Sequence, residues 1–332
     1  MGNCQCQSAD IQKTEEMQPL EFKQENFTSF EDQQLQFCQA QQILQQETIK
    51  SSNETSDDTH RPNPQTVWQT QTSFATYNLI VQKLMDELGA YEIDDEEGYF
   101  YGVYEQKDGS LYKGCWHHGE KFGYGCLIYQ DGSIFQGQWR NDKANGKGRM
   151  IYIDGDWYEG DWVDDLKHGN GKYVHNDGTI YQGEWKNDYQ DGYGDEQFSD
   201  GSKYKGQFKN GKKNGFGHYI WVDGQSYEGN FQSNYFSGFG KYIWTDGRQY
   251  EGQWQNGSMD GNGIMKWPDG RKYEGQYSND KKHGTGVLEW PDGRKYSGQW
   301  ESGKQHGIGE YFNGQISKKG QWNQGKRLKW LD

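Results

Sequence analysis

The sequence predicts an all-β repeat array, an elongated and twisted antiparallel sheet of successive β-hairpins, preceded by a largely disordered N-terminal segment and one short α-helix. Three observations carry this prediction. The first is a pattern, aromatic-x-Gly-x-aromatic, first complete at Tyr112-Lys113-Gly114-Cys115-Trp116. Its leading aromatic recurs at Phe135, Tyr158, Tyr181, Tyr204, Tyr227, Tyr250, Tyr273 and Tyr296, each time 23 residues on. A fixed period of that length marks a repeat architecture. The second is composition: 47 Gly, 24 Tyr, 15 Phe and 14 Trp accompany few aliphatics and 5 Pro in 332 residues. That mixture suits a thin sheet with rings over bare backbone better than a thick aliphatic core. The third is Asp-Gly, a hairpin turn signal, at the same step from Asp108-Gly109 to Asp292-Gly293.

Charge divides the chain near residue 98. Residues 1–97 hold 5 Lys and Arg against 18 Asp and Glu, whereas residues 98–332 hold 30 against 31. An acidic balance disfavours nucleic acid, whose phosphates bind concentrated Lys and Arg. No apolar run approaches the roughly 18–20 residues that cross a bilayer, and no hydrophobic signal segment opens the chain. An intracellular protein with reduced cysteines is the expectation.

Residues 1–75 form the first expected segment. It begins Met1-Gly2-Asn3-Cys4-Gln5-Cys6. Removal of Met1 exposes Gly2, the acceptor in N-myristoylation, and Cys4 and Cys6 lie close enough for S-acylation at a membrane. One myristoyl chain binds with K of only about 10⁴ M⁻¹, so a stable anchor needs a second signal. Lys13 against Asp10, Glu15 and Glu16 makes no basic patch, which leaves Cys4 and Cys6 to supply it. This start resembles that of dually acylated signalling proteins, except that Cys6 stands where the acceptor pattern prefers Ser or Thr. The competing reading is an ordinary disordered terminus with two free thiols. Beyond it, Gln fills eight of the fourteen positions 33–46. A weak helix over 31–48 uses Leu35, Cys38, Ile43 and Leu44, and 51–65, with Pro62 and Pro64, reads as a flexible linker.

Residues 76–97 are expected to hold a capping helix and an acidic connector. Ile80, Leu84 and Leu88 are spaced i, i+4, i+8, with Val81 and Met85 beside them and Gly89 at the C′ position, which predicts a helix over 78–88. Three turns alone are marginal, so the apolar stripe needs a surface. Asp94-Asp95-Glu96-Glu97 reads as a solvated connector.

Residues 98–325 are the expected array, with 326–332 as a tail. Gly-x-Gly recurs from Gly123/Gly125 to Gly307/Gly309, and the alternation is strand-like. A three-residue loop Gln130-Asp131-Gly132, with Gly132 left-handed, pairs Leu127 with Phe135, Gly125 with Gly137 and Gly123 with Trp139. One side of the sheet, face A, then carries a spine: Tyr112, Gly114 and Trp116; Phe135, Gly137 and Trp139; Tyr158, Gly160 and Trp162; Tyr181, Gly183 and Trp185; and, near the end, Tyr296, Gly298 and Trp300. On the opposite face B the same register pairs Ile128 with Ile134, Ile151 with Trp157 and Val174 with Ile180, and later units are polar. Ile128, Ile134, Ile151, Trp157 and Ile180 are therefore the expected docking patch for the helix. Two strands per unit advance the array by roughly 9–10 Å, giving a ribbon on the order of 90 Å long.

Tyr-x-Gly-x-Trp, Gly-x-Gly and Asp-Gly at this spacing, as in Tyr296-Ser297-Gly298-Gln299-Trp300 followed by Gly307-Ile308-Gly309, closely resemble the MORN repeat (membrane occupation and recognition nexus) over about residues 99–325. The resemblance implies a sheet of hairpins and an organising role at membranes or cytoskeleton, often with self-association. Such arrays occur in membrane-junction proteins, phosphatidylinositol-phosphate kinases, ciliary radial-spoke heads and cytoskeletal scaffolds, and phospholipid (phosphoinositide) binding is attributed to some. No kinase glycine-rich loop or catalytic Asp motif accompanies the repeats, so no catalytic residue, cofactor or metal is expected.

Sharper local readings yield to the repeat phase. Cys115, His117, His118 and Cys126 suggest a metal set, but the Cys115 slot elsewhere holds Gln138, Asp161, Glu184 and Gln207, an ordinary outward position. His168, His283 and His306 read as loop residues. Lys212/Lys213 and Lys281/Lys282 read as exposed loop cations able to meet anionic lipid headgroups. Two function classes follow. One is a non-catalytic scaffold tethered to the cytosolic face of the plasma membrane or cell cortex, docking unidentified protein partners or lipid headgroups. The other is a structural subunit of a cilium or cytoskeletal assembly with no anchor.

Overall fold

The computed structural model describes residues 79–89 and 99–331. Gly2, Cys4 and Cys6, the helix expected over 31–48, the linker 51–65 and the acidic run 94–97 lie outside the described residues. Among the described residues one helix, α1 (Leu79–Leu88), precedes 21 strands. They are β1 (Tyr99–Glu105), β2 (Leu111–His117), β3 (Glu120–Ile128), β4 (Ile134–Arg140), β5 (Lys143–Ile151), β6 (Trp157–Val163), β7 (Leu166–Val174), β8 (Ile180–Lys186), β9 (Tyr189–Gln197), β10 (Lys203–Lys209), β11 (Lys212–Ile220), β12 (Ser226–Gln232), β13 (Tyr235–Ile243), β14 (Gln249–Gln255), β15 (Ser258–Lys266), β16 (Lys272–Ser278), β17 (Lys281–Glu289), β18 (Lys295–Glu301), β19 (Lys304–Phe312), β20 (Ser317–Asn323) and β21 (Lys326–Leu331). Each strand pairs antiparallel with the next, so the sheet is one continuous meander from the first hairpin to the last. The final strand, β21, lies beyond the 23-residue phase, where the sequence suggested a tail.

Two turns alternate along the meander. The predicted three-residue turn is present. Tyr129 N donates to Ser133 O at 2.9 Å, Gly132 N donates to Tyr129 O at 3.0 Å, and Gly132 has φ 93°. The register it sets is the expected one, from Ile128 opposite Ile134 to Gly123 opposite Trp139. The other turn has two residues. At His118-Gly119 both φ angles are positive, 52° and 84°, the conformation that matches the twist of flanking strands. Asn-Asp, Asn-Gly, Asp-Asp and Ser-Asn fill the same turn elsewhere, residues that tolerate the left-handed region through local side-chain bonding. Successive two-residue turns are stitched together. Ala144 N donates to Asp165 Oδ1 at 2.7 Å while Asp165 N donates to Ala144 O at 3.0 Å. The same exchange joins Lys167 to Asp188 and Met259 to Asp280.

The core is face A. The leading tyrosines from Tyr112 to Tyr296 are at most 1 % exposed. Each stands edge-on to two indoles or their equivalents; Tyr158 lies 5.2 Å from Trp162 and 5.2 Å from Trp185, at interplanar angles of 86° and 80°. Edge-to-face pairs of this kind add stability beyond the area they bury. The ring rests on backbone: a Cβ at Gly171 would sit 2.3 Å from Tyr158 Oη. That is why the slot is glycine. The indole then reaches across, with Trp162 Nε1 donating to Gly148 O at 3.0 Å. Because each unit touches only its neighbours, stability is a chain of local terms rather than one central core.

Candidate functional site

Face A leaves little for chemistry. The hydroxyls of its leading tyrosines are already committed to main-chain carbonyls. Tyr112, Tyr158 and Tyr204 donate their hydroxyls to the carbonyls of Cys115, Asp161 and Gln207, at 3.0, 3.0 and 2.9 Å. Burial pushes these phenols well above their ordinary range, so they remain protonated donors. The sequence marks the aromatic at this slot; the carbonyl three residues on explains why it is tyrosine in all but one of the nine copies.

The slot between the glycine and the second aromatic of aromatic-x-Gly-x-aromatic, read from sequence as an ordinary outward position, also has a structural task. The nine-residue strands carry one bulge per unit, where the register shifts, as between Gly206 and Phe208. The first glycine of Gly-x-Gly sits there with positive φ, 97° at Gly215. Gln207 Oε1 curls over it and accepts from Phe216 N at 2.8 Å. Gln138, Asp161 and Glu184 accept from the amides of Lys147, Asn170 and Tyr193 in the same way. The signal was present in the run of Gln, Asp and Glu at one phase, but a side-chain cap on a bulge is legible only once the bulge is known.

Face B is where units differ and where something is already docked. Met85 and Leu88 of α1 pack on Ile134 and Ile151, together with Cys126, Ile128 and Trp157. Ile151 is fully buried and Ile134 is 7 % exposed. The helix ends on Gly89, φ 71°, whose N donates to Met85 O at 3.0 Å, a left-handed C-terminal cap. Arg149, beneath the helix, donates from Nη1 to Gly89 O at 3.2 Å and from Nε and Nη2 to Glu159 Oε2 at 2.9 and 2.8 Å. One guanidinium thus holds the helix end and is itself neutralised. The sequence flagged the apolar residues of this seat and missed Arg149. Ile180 stands two strands beyond Trp157, half-buried and paired with Val174, outside that cluster. Burial pushes the Cys126 thiol up to about 11, which makes it an inert packing group.

Several local expectations need correction. His168, His283 and His306 are not loop residues; they lie inside β7, β17 and β19, next to the bulge. Lys213 and Lys282 are not exposed loop cations. Lys213 is 5 % exposed, its Nζ 2.9 Å from Glu196 Oε2 and 4.8 Å from the Phe198 ring centroid. Lys282 Nζ stands 4.9, 5.2 and 5.1 Å from the Trp267, Tyr273 and Trp300 rings. Both point into face A because the second residue of each long strand does; only Lys212 and Lys281 face solvent. Among the described residues no group of three or more His, Cys, Asp or Glu converges as a metal set, and no helix is long and apolar enough to cross a membrane.

Comparison with solved structures returns low similarities. The TCP domain of SAS-4 (dCPAP) of Drosophila melanogaster, in complex with a proline-rich motif of Ana2 (dSTIL), is 13 % identical, with 57 % of this chain and 99 % of that one covered at a TM-score of 0.30. The TCP10 domain of Danio rerio CPAP is 12 % identical, covering 69 % and 98 % at 0.24. Scores this low carry neither fold detail nor partner to this chain. No curated protein matches it. The MORN repeat family model, by contrast, matches nine times in succession, at residues 112–134, 135–157, 158–180, 181–203, 204–226, 227–247, 250–270, 273–293 and 296–315. These matches cover more than half of the chain in the phase of the hairpins themselves, and the chain belongs to the MORN repeat family.

Proposed function

We propose that the protein is a non-catalytic scaffold, held at the cytosolic face of a membrane by acyl groups on Gly2, Cys4 and Cys6, which presents face B of its repeat array to protein partners. The observation that carries the scaffold reading is the division of labour between the faces. Face A binds its own backbone in every unit, whereas face B varies from unit to unit and already seats α1. The tether rests on the first six residues and the two-signal logic of acyl anchors. Mass spectrometry of the intact N-terminal peptide is the direct test, with a myristoyl group on Gly2 and thioester-linked acyl groups on Cys4 and Cys6 expected. In cell fractionation, Gly2→Ala moves the protein from the membrane to the soluble fraction. Unchanged partitioning refutes the tether and leaves the anchor-free reading, a structural subunit of a cilium or cytoskeletal assembly.

A further inference from the structure

Face B carries a second apolar region, separate from the seat of α1. In the middle of the array the residue between the two glycines is aromatic in three successive units: Tyr193 on β9, Phe216 on β11 and Phe239 on β13, exposed by 49, 53 and 56 %. Nothing in the repeat requires an aromatic there. The same slot holds Tyr124, Lys147, Asn170, Asn262, Thr285 and Ile308 in other units. Tyr189 and Tyr235, at the starts of β9 and β13, stand on the same face at 50 and 40 % exposure. An exposed aromatic cluster of this size is what interaction surfaces present.

The rings are also held on a rigid platform. Each follows a glycine of positive φ (115° at Gly192, 97° at Gly215, 66° at Gly238). Their main chain is pinned by the preceding strand: Tyr193 N donates to Glu184 Oε1, Phe216 N to Gln207 Oε1, and Phe239 O accepts from Asn230 Nδ2. The rim mixes signs, with Lys241 opposite Glu228 and Glu251 and Lys205 paired to Asp195.

We propose that Tyr193, Phe216 and Phe239 form a docking track for an amphipathic helix of a partner protein, with large apolar residues at heptad spacing. Three arguments select a helix. β9, β11 and β13 are hydrogen-bonded on both sides, so no incoming strand can pair there. A helix satisfies its own backbone and can lie on a sheet face without stranding polar groups. Successive track residues are two strands apart, about 9.6 Å, close to the roughly 10.5 Å between i and i+7 of a helix. Finally, α1 shows on the same face that this sheet receives a helix. The proposal rests on face B being the docking side of the scaffold, and not on the membrane tether.

The test uses the full chain and a fluorescein-labelled peptide of three heptads, with Leu at the two apolar positions of each and Glu and Lys elsewhere. A permuted peptide of identical composition and a proline-rich peptide serve as controls. Fluorescence anisotropy is expected to show the heptad peptide bound at least about ten-fold more tightly than either control, the size of one lost hot-spot contact. Phe216→Asp with Phe239→Asp removes that preference, while Leu88→Asp at the α1 seat retains it. The pair lies on exposed positions, so the melting profile of the double variant is unchanged. Equal binding by a control, unaltered binding by the double variant, or no binding of the heptad peptide overturns the proposal. Tighter binding by a peptide of residues 31–48 also overturns it, by assigning the track to the chain's own N-terminal segment. Loss of the membrane tether leaves this experiment untouched, so the two readings fail separately.

Discussion

Tyr204 and Phe216 are one hairpin apart. Tyr204, on face A, is 1 % exposed and lies over Gly217; Phe216, the neighbour of that glycine on face B, is 53 % exposed. Both are large aromatics on strands of the same sheet. They differ in what the backbone asks of them. On face A a ring replaces the missing second layer of a one-layer sheet, so every unit must supply the same ring, the same bare glycine and the same carbonyl acceptor. On face B the second layer is optional. It is present as α1 over the first units and absent among the described residues over β9 to β13. Uniformity along a repeat therefore reports how the sheet holds itself together, and departure from uniformity reports where it meets something else.

The contrast is sharpest at Gly217. A Cβ there would stand 2.4 Å from Tyr204 Oη and 2.5 Å from Cε2, and Tyr204 is edge-packed against Phe208 and Phe231 at 5.1 and 5.2 Å. The ring must leave for the methyl to enter. Gly217→Ala is expected to cost about 3–5 kcal/mol, the cost of losing a buried aromatic. Because contacts are between neighbours, hydrogen exchange should show the loss concentrated in β10 to β12. Phe216→Ser, one residue away, stays within about 0.5 kcal/mol of the parent. Gly224→Ala is the control: φ is 87° with nothing within 4 Å, so it costs about 1–2 kcal/mol from backbone strain alone. Equal losses at Gly217 and Gly224 would mean that the ring does not depend on the bare backbone.

The same asymmetry governs what could be read from sequence. Period, hairpin register, the three-residue turn and the glycine–aromatic spine were legible because each recurs at one phase, and recurrence averages out local accident. The apolar seat of α1 was legible from pairing alone, since a period of two assigns Ile128, Ile134 and Ile151 to one face. Arg149 was not, because its role depends on where the last turn of a helix sixty residues earlier comes to rest. The inward-pointing lysines were misread for a related reason. Lys212-Lys213 and Lys281-Lys282 follow turn-forming residues and look like loop charge, and only the start of each long strand shows that the second member points inward. The two-residue turns escaped because their residues vary, from His-Gly to Asp-Asp, around one shared property, tolerance of positive φ.

The helix seat offers an intermediate effect. Leu88→Asp places a carboxylate against Ile134 and Ile151 and frees α1, at an expected cost of about 1–3 kcal/mol, since the helix covers the sheet and does not complete it. The informative readout is Cys126. With its thiol pushed up to about 11 by burial, it should label slowly near neutral pH in the parent chain and much faster in Leu88→Asp, while the units beyond the helix seat still melt as before. Unchanged labelling would show that α1 is not what shields the thiol, and would weaken the view of face B as an optional second layer.

The smallest expected effect probes how far face A can absorb a residue that does not belong there. Lys282 occupies a slot that holds Phe236 and Met259 in the two preceding units, both 1 % exposed. Lys213, in the same slot, has Glu196; Lys282 has three rings. Burial, then the nearby Arg271 charge, pushes its ammonium down to about 8, while the ring faces attract the charged form. The two influences predict opposite behaviour. If burial dominates, Lys282→Met raises stability by about 1 kcal/mol at pH 7, because it removes a cation held out of water. The sign with pH then follows from proton binding. Between about pH 8 and the unfolded value near 10.4, the unfolded chain holds a proton that the folded chain has released, so the parent gains stability as pH rises and the gap to Lys282→Met closes. If the rings dominate, Lys282→Met destabilises the chain at pH 7 and the parent gains nothing through that window. Denaturant melts of both proteins at pH 7 and pH 9.5 separate the cases, and burial is the expected winner: three rings offer a cation far less than the carboxylate that Lys213 has.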